Sequence, residues 1–431
     1  MPHSHTSKHA RRSRDLAAVT VPAGIGGVLT MATAVREALE GTGPAIAPFP
    51  TGPAEAVTYM REAIRPDDEL LQLETDGIAL VLATSGSTST PRGVLLSREA
   101  LISSAEAFGN RFGTDARWVI SMPVHRVAGA MILVRSWVHG SPFEVDPSVG
   151  GAQQFTAETF TDTTRRAVIA SQSDGRRLMV SLVPTQIARL LDSGEMGLNA
   201  LRSYDLVLSG AAATPQPMLN RLRDEGVNVV VSYGMSETSG GCVFDGQPLD
   251  GVKISLGTQD DVEPGRISIG GPVIASGYRL RPDLDAVMFI DGRVQTQDVG
   301  KLDAAGMLHV LGRLDDVVIV GGVNVSLSAV ESLVRHHPDI EDVAIIDVPD
   351  DLWGSLPVAY IVAQSYDVDR DRLLSDIRST VADRISRAAT PRSFAFLNQL
   401  PMLDSGKIDR LGLRLQAAKD IAEGRMPHPG V

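Results

Sequence analysis

An α/β fold is predicted for this 431-residue chain: a large N-terminal domain of mixed sheets flanked by helices with a small barrel-like part, then a small C-terminal α+β domain. Three observations predict it. Short β-branched runs alternate with helical patterns through the first half. From about Pro264 the texture changes to short segments broken by Gly turns, as in Arg266 to Gly271 and Met307 to Gly312. After Arg313 a second α/β pattern begins, which sets a domain boundary at Leu314–Asp315.

In chain order, Met1 to Arg14 is rich in His, Ser and Arg and lacks the apolar run of a signal peptide. It is expected to be a disordered polar terminus; the alternative is that His3, His5 and His9 bind a metal. Residues 1–70 are expected as a polar N-terminal arm and truncated N-terminal region. Ile78 to Thr84 (IALVLAT) is a buried strand running into a Gly/Ser/Thr loop, and Arg98 to Phe112 is a helix. Trp118 to Met122, Leu178 to Val183, Leu206 to Leu208 and Val227 to Val231 are strands; Pro184 to Asp192 and Pro215 to Glu225 are helices. Asp146 to Asp174 is polar and reads as surface loops around a helix. Past the boundary come strand Val317 to Val320, a Gly-Gly turn, helix Ser328 to His336, strands Val343 to Val348 and Val358 to Val362, and helix Arg370 to Ile385.

A formal net charge of −12 without a basic stripe argues against nucleic acid and anionic membrane surfaces as partners. Anionic substrates must then be held by a few placed cations. The single cysteine, Cys242, excludes an intrachain disulfide and a cysteine metal cage. No apolar run reaches the roughly 18–20 residues that span a bilayer. A soluble, cytoplasmic protein is expected; a homodimer is compatible with the sequence but not indicated by it.

The most informative segment is Thr84-Ser-Gly-Ser-Thr-Ser-Thr-Pro-Arg-Gly93. Small residues let backbone approach phosphate oxygens, hydroxyls donate hydrogen bonds, and Arg92 adds positive charge. The Gly-Lys-Ser/Thr ending of a Walker A loop is missing, which excludes a P-loop kinase. Taken alone, the segment is also an ordinary Ser/Thr-rich turn.

This loop resembles the phosphate loop of the adenylate-forming superfamily of acyl-CoA synthetases, luciferases and peptide-synthetase adenylation domains. Ser89 stands where that loop usually has glycine, and Arg92 where it has lysine. Four further segments match in order. Ser232-Tyr-Gly-Met-Ser-Glu-Thr238 resembles the Tyr-Gly-x-Thr-Glu motif, which implies that Tyr233 stacks on adenine, Ser236 touches phosphate and Glu237 holds Mg²⁺. Thr296-Gln-Asp298 resembles the ribose-binding Thr-x-Asp. Gly312-Arg-Leu-Asp-Asp resembles the hinge motif, with Arg313 on ribose or phosphate and Asp315 as the hinge of a mobile C-terminal domain; Gly321 and Gly322 would form a loop facing the acyl pocket, or a plain hairpin turn. Pro401-Met-Leu-Asp-Ser-Gly-Lys-Ile-Asp-Arg410 resembles the C-terminal motif whose lysine, here Lys407, neutralises charge at the reacting phosphate.

The resemblance implies an ATP- and CoA-dependent, Mg²⁺-requiring ligase, with residues 71–314 as the adenylation domain and 315–431 as the domain carrying the catalytic lysine. Thr84, Ser85, Gly86, Ser87, Thr88, Arg92, Gly93, Gly210, Ala211, Ala212, Tyr233, Gly234, Met235, Ser236, Asp298 and Arg313 would form the nucleotide site. The acyl-pocket segments most resemble 2-succinylbenzoate–CoA ligases of menaquinone biosynthesis, in their short actinobacterial form. That assigns Ser181, Thr185, Ser239, Gly240 and Gly241 to the pocket and implies a dicarboxylate substrate. Arg135 would pair its second carboxylate, or else reach solvent from a helix end. Where those enzymes carry an aromatic–His pair, this chain has His125 and Arg126, and either could fill the histidine's catalytic role. Open alternatives are another aryl or aliphatic acid, a carrier-protein thiol, and a non-catalytic nucleotide-binding relative.

Overall fold

The computed structural model describes residues 15–68, 71–85, 91–257, 263–350, 352–402, 408–423 and 425; for Ala54, Glu55, Ser85, Asp315, Asn324 and Ala422 only the backbone is described. The terminal histidines, residues 86–90 of the Ser/Thr loop and Lys407 lie outside these.

The described residues form four sheets. In the first, strands run in the order Leu16–Val21, Ala45–Pro50, Ile78–Ser85, Pro91–Ser97 and Gly277–Tyr278. Residues 1–70 are therefore not one polar arm: 16–50 supply two parallel strands, and helix Ile25–Glu40 buries Val28, Met31, Val35 and Leu39 against the core. Pro48 and Pro50 disguise the second strand. Its ladder to Ile78–Ser85 is limited to Ile46↔Leu80, ahead of the prolines that cannot donate.

The second sheet is the doubly wound centre. Strand Ala116–Ile120 is flanked in parallel by Phe143–Val145 on one side and Arg177–Leu182 on the other. Leu206–Ser209 and Val229–Met235 then continue away from Arg177–Leu182, and Gly240–Phe244 turns back antiparallel. The order thus reverses between Ala116–Ile120 and Arg177–Leu182, the kind of point at which ligands bind beyond the strands' carboxyl ends.

The segment 146–174, expected as surface loops around a helix, consists mostly of that helix. An 18-residue helix, Ala157–Asp174, fills more than half of it, opened by a Thr156/Thr159 capping box. Its buried face holds Thr163 and Thr164, whose hydroxyls donate to the carbonyls of Thr159 and Phe160 at 3.0 and 2.9 Å. Self-satisfied threonines can be buried without registering as an apolar stripe.

After residue 264 comes an antiparallel sheet built on the long strand Arg293–Leu302, which pairs with Gly265–Gly270 and Leu308–Arg313. The short turn Leu314–Asp316 leads into the fourth sheet. There Ile340–Asp350 and Gly354–Ala363 send alternate residues to opposite faces. Val343, Ile345 and Ile361 pack under helices Leu327–Val334 and Arg370–Arg384, while Ala344, Ile346, Val358 and Tyr360 pack under helix Arg410–Ala422. The smaller unit therefore has a core on each side of its sheet.

Candidate active site

The carboxyl ends of the central strands collect most of the residues singled out in sequence. Ser121 to Arg126 follow Ala116–Ile120; Ser181 is the penultimate residue of the neighbouring strand Arg177–Leu182, and Thr185 lies in helix Pro184–Asp192. Gln186 ties the two ends together: its Nε2 donates to the Ser121 carbonyl at 3.3 Å and its Oε1 accepts from the Val183 amide at 3.0 Å. Gly210, whose amide donates to Leu182 O, precedes Ala211 in the left-handed region (φ 65°) and exposed Ala212.

The strand carrying Tyr233, Gly234 and Met235 folds back at Ser236–Thr238. Gly234 is required there, because a Cβ would sit 2.1 Å from the Gly240 carbonyl oxygen. The Tyr233 hydroxyl donates to Asp298 Oδ2 at 2.7 Å, and Arg313 Nη1 lies 3.4 Å from Asp298 Oδ1. Asp298 and Arg313 stand opposite each other on adjacent antiparallel strands. Burial and the Asp298 carboxylate hold the Tyr233 pKa far above the usual phenol range, so its proton stays available for donation.

Glu237 accepts a 2.7 Å hydrogen bond from the hydroxyl of Tyr278, a fully buried residue the sequence reading did not single out. The Arg92 guanidinium lies 5.7 Å from the centre of the same ring. Arg92 itself stands opposite Thr84 in the hairpin formed by Ile78–Ser85 and Pro91–Ser97, which delivers both ends of the Ser/Thr loop together. Gly93 is enclosed: a Cβ would lie 2.9 Å from Ile64 and 3.0 Å from Arg279. Arg279, also not anticipated, is 1% exposed and donates to the Ile64, Leu71 and Gln72 carbonyls while pairing with Glu74 at 3.1 Å.

His125 is 8% exposed, and burial together with neighbouring Arg126 lowers its pKa to about 4, leaving a neutral imidazole at pH 7. Arg126 Nη1 donates to the Ala83 carbonyl at 3.2 Å, binding this turn to the Thr84 strand. Arg135 is not a solvent-reaching arginine. It is 5% exposed on helix Val127–His139, with its guanidinium carbon 4.0 Å from the Phe108 ring centre and 5.7 Å from that of Trp118. No carboxylate among the described residues pairs with it, its Nε has no partner, and burial lowers its pKa to about 9. It thus remains a buried cation.

Ser239, in the left-handed region at φ 51°, turns its hydroxyl to the Val273 carbonyl at 2.8 Å. Gly240 lies against Met131, and Gly241 against Ser232. Cys242 beside them is fully buried, and burial pushes its thiol up to about 12. Asp315 falls within the Leu314–Asp316 turn. Gly321 and Gly322, at φ 56° and 85°, form the two-residue turn of hairpin Val317–Ser326, with Gly321 N donating to the Trp353 carbonyl.

Among the described residues no three His, Cys, Asp or Glu side chains cluster as a metal cage. A lone carboxylate such as Glu237 fits Mg²⁺, which takes one or two protein carboxylates and completes its shell with phosphates and water. No described helix is long and apolar enough to cross a membrane.

Residues 47–279 match the AMP-binding enzyme family, and residues 329–407 match the AMP-binding enzyme C-terminal domain. A probable 2-succinylbenzoate–CoA ligase of Mycobacterium tuberculosis is 36% identical over 401 residues, covering 92% of this chain and 97% of the relative. The 2-succinylbenzoate–CoA ligase of Bacillus licheniformis is 29% identical, covering 83% of this chain and 75% of its own. Among solved structures, the Bacillus subtilis o-succinylbenzoate CoA synthetase in complex with its acyl-adenylate intermediate superposes with a TM-score of 0.69 at 23% identity, covering 94% of this chain and 89% of that one. ATP-bound MatB from Rhodopseudomonas palustris superposes at 0.77 with 21% identity, covering 96% and 90%.

Proposed function

This chain belongs to the AMP-binding enzyme family, and we propose that it is an ATP-dependent carboxylate–CoA ligase that converts 2-succinylbenzoate to 2-succinylbenzoyl-CoA in menaquinone biosynthesis. The observation that carries this reading is the meeting of Tyr233, Asp298 and Arg313 at the carboxyl end of strand Val229–Met235, which runs on into Glu237. The naming of its relatives as 2-succinylbenzoate–CoA ligases supports the acid.

A carboxylate is a poor electrophile, because its leaving group would be oxide. Attack of its oxygen on the α-phosphorus of ATP forms a P–O bond and breaks the α–β bridge, releasing pyrophosphate. The thiol sulfur of CoA then attacks the acyl carbon, and AMP leaves. The first step needs positioning and charge neutralisation more than covalent help.

In this reading the Tyr233 ring stacks on adenine, Asp298 accepts from ribose hydroxyls, and Arg313 and Ser236 contact ribose or phosphate. Thr84, Arg92 and the residues between them steady the β- and γ-phosphates. Mg²⁺, held by Glu237, supplies charge neutralisation to the phosphates when bound. Lys407 acts at the carboxylate–phosphate junction and is withdrawn by a turn about Asp315 before CoA enters. Of the pair preceding helix Val127–His139, His125 is the residue able to accept a proton from the thiol, since its imidazole is neutral and Arg126 is always charged. Arg135 takes the substrate's second carboxylate, which would give a buried cation its missing counter-charge. The same reading sets the enzyme in the cytoplasm.

The test is CoA-thioester formation with Mg-ATP from 2-succinylbenzoate, beside benzoate, succinate, coumarate and medium-chain fatty acids. Turnover confined to 2-succinylbenzoate is expected. Turnover only with another acid would discard the pocket assignment, and silence throughout with ATP bound would discard the ligase.

A further inference from the structure

Glu237 is held at two points by one segment of chain. The Ala275 amide donates to the Glu237 carbonyl at 2.9 Å, and the Tyr278 hydroxyl donates to Glu237 Oε1 at 2.7 Å. Tyr278 is itself fixed on every side. It sits on the two-residue strand Gly277–Tyr278, paired with Val94 and Leu95; its amide donates to Asp285 Oδ1 at 2.7 Å, and its ring meets Phe289 edge-on at 5.4 Å. The next residue, Arg279, donates its amide to Gly93 O at 2.7 Å. The Arg92 guanidinium lies 5.7 Å from the Tyr278 ring centre. One tyrosine therefore bridges the cation at the end of the Ser/Thr loop and the only carboxylate assigned to Mg²⁺.

We infer that Tyr278 is a positioning residue for metal binding: its hydroxyl engages Oε1 of Glu237, fixes the carboxylate's rotamer and keeps Oε2 for the cation. A glutamate without this bond would sample several rotamers, and the cation would have to select one. A hydrogen bond between a neutral hydroxyl and a charged carboxylate is among the stronger single contacts in proteins. Tyr278 thereby ties the geometry of the phosphate hairpin to that of the metal acid. This inference rests on the ligase reading for its metal, and the experiment separates the two.

The experiment is a titration of Mn²⁺ into the full-length enzyme with a non-hydrolysable ATP analogue, followed by electron paramagnetic resonance of the free ion, for wild type, Tyr278→Phe, Glu237→Gln and the double variant. The phenylalanine keeps the buried ring. The expected result is a rise of roughly tenfold in the Mn²⁺ midpoint for Tyr278→Phe, with analogue affinity in the absence of metal unchanged. In the Glu237→Gln background the second substitution adds nothing, because the hydroxyl acts through the carboxylate. Should Tyr278→Phe not fold, Tyr278→Leu, which also lacks the hydroxyl and leaves Glu237 intact, is expected to shift the midpoint in the same direction. An unchanged midpoint, or an equal further loss in the Glu237→Gln background, overturns the inference. Wild-type enzyme that catalyses no ATP–pyrophosphate exchange with any acid overturns the ligase reading instead.

Discussion

Tyr233 and Asp298, 65 residues apart in sequence, are joined by a 2.7 Å hydrogen bond that links the central sheet to the antiparallel sheet behind it. The bond fixes the ring proposed to stack on adenine and the acid proposed to hold ribose in one arrangement before any nucleotide arrives. Tyr233→Phe retains the ring and removes this bond. Its KM for ATP is expected to rise roughly five- to tenfold with kcat little changed, since one hydrogen bond to a charged group is lost. Steady-state kinetics at saturating acid and CoA check this, and an unaltered KM would show that Asp298 needs no tyrosine to hold it.

Lys407→Ala is expected to abolish ATP–pyrophosphate exchange while sparing CoA-thioester formation from supplied acyl-adenylate. Equal loss in both half-reactions would refute the division of labour proposed for the C-terminal domain.

Arg135→Met exchanges a buried cation for an apolar side chain of similar length. Replacing buried charges in this way is often neutral or stabilising by about 1–4 kcal/mol. The variant is therefore expected to unfold no earlier in urea than wild type, while its KM for 2-succinylbenzoate rises at least tenfold. A destabilised variant with unchanged KM would make Arg135 a core residue held by Phe108 and Trp118 alone.

His125 predicts a pH dependence whose sign follows from its lowered pKa. The unfolded imidazole binds a proton near pH 6.5, whereas the folded one does so only near 4, so the unfolded chain carries more protons in between. Stability is thus lost as pH falls from about 6.5 to about 4, and this residue's share is about 3 kcal/mol. Urea unfolding of wild type and His125→Asn at pH 8 and pH 4.5 measures it. The two should diverge only at the lower pH, in favour of the variant.

Cys242, the sole cysteine, is fully buried with its thiol pushed up to about 12. Native enzyme is expected to resist a thiol-specific reagent that labels one equivalent in denaturant. Rapid labelling of the native state would reveal an opening of the Gly240–Phe244 strand.

Elements of the central sheet were legible where burial is apolar and continuous, as in Leu206–Ser209, or where an end carries its own signal, as with Pro184 at the start of Pro184–Asp192. The buried face of helix Ala157–Asp174 was hidden by threonines that satisfy themselves, and strand Ala45–Pro50 by its prolines. The candidate site was marked in sequence by ordered motifs, and the structure brings Tyr233, Asp298 and Arg313 from three of them together. Tyr278 was not so marked. Its strand has two residues and no periodicity, and only pairing with Val94 and Leu95, more than 180 positions earlier, brings it to Glu237.

That pairing sets an order of events during synthesis. The fifth strand of the first sheet and the buried Arg279 that fastens Ile64, Gln72 and Glu74 both arrive only after most of the large domain has left the ribosome. Until then Pro91–Ser97 waits with an open edge, and the Glu74 carboxylate waits without its cation. Closure over such a separation is slow, and unpaired edges invite association between nascent chains. A polypeptide stopped just short of Gly277 would therefore carry Arg92, Tyr233 and Glu237 and still be prone to aggregate.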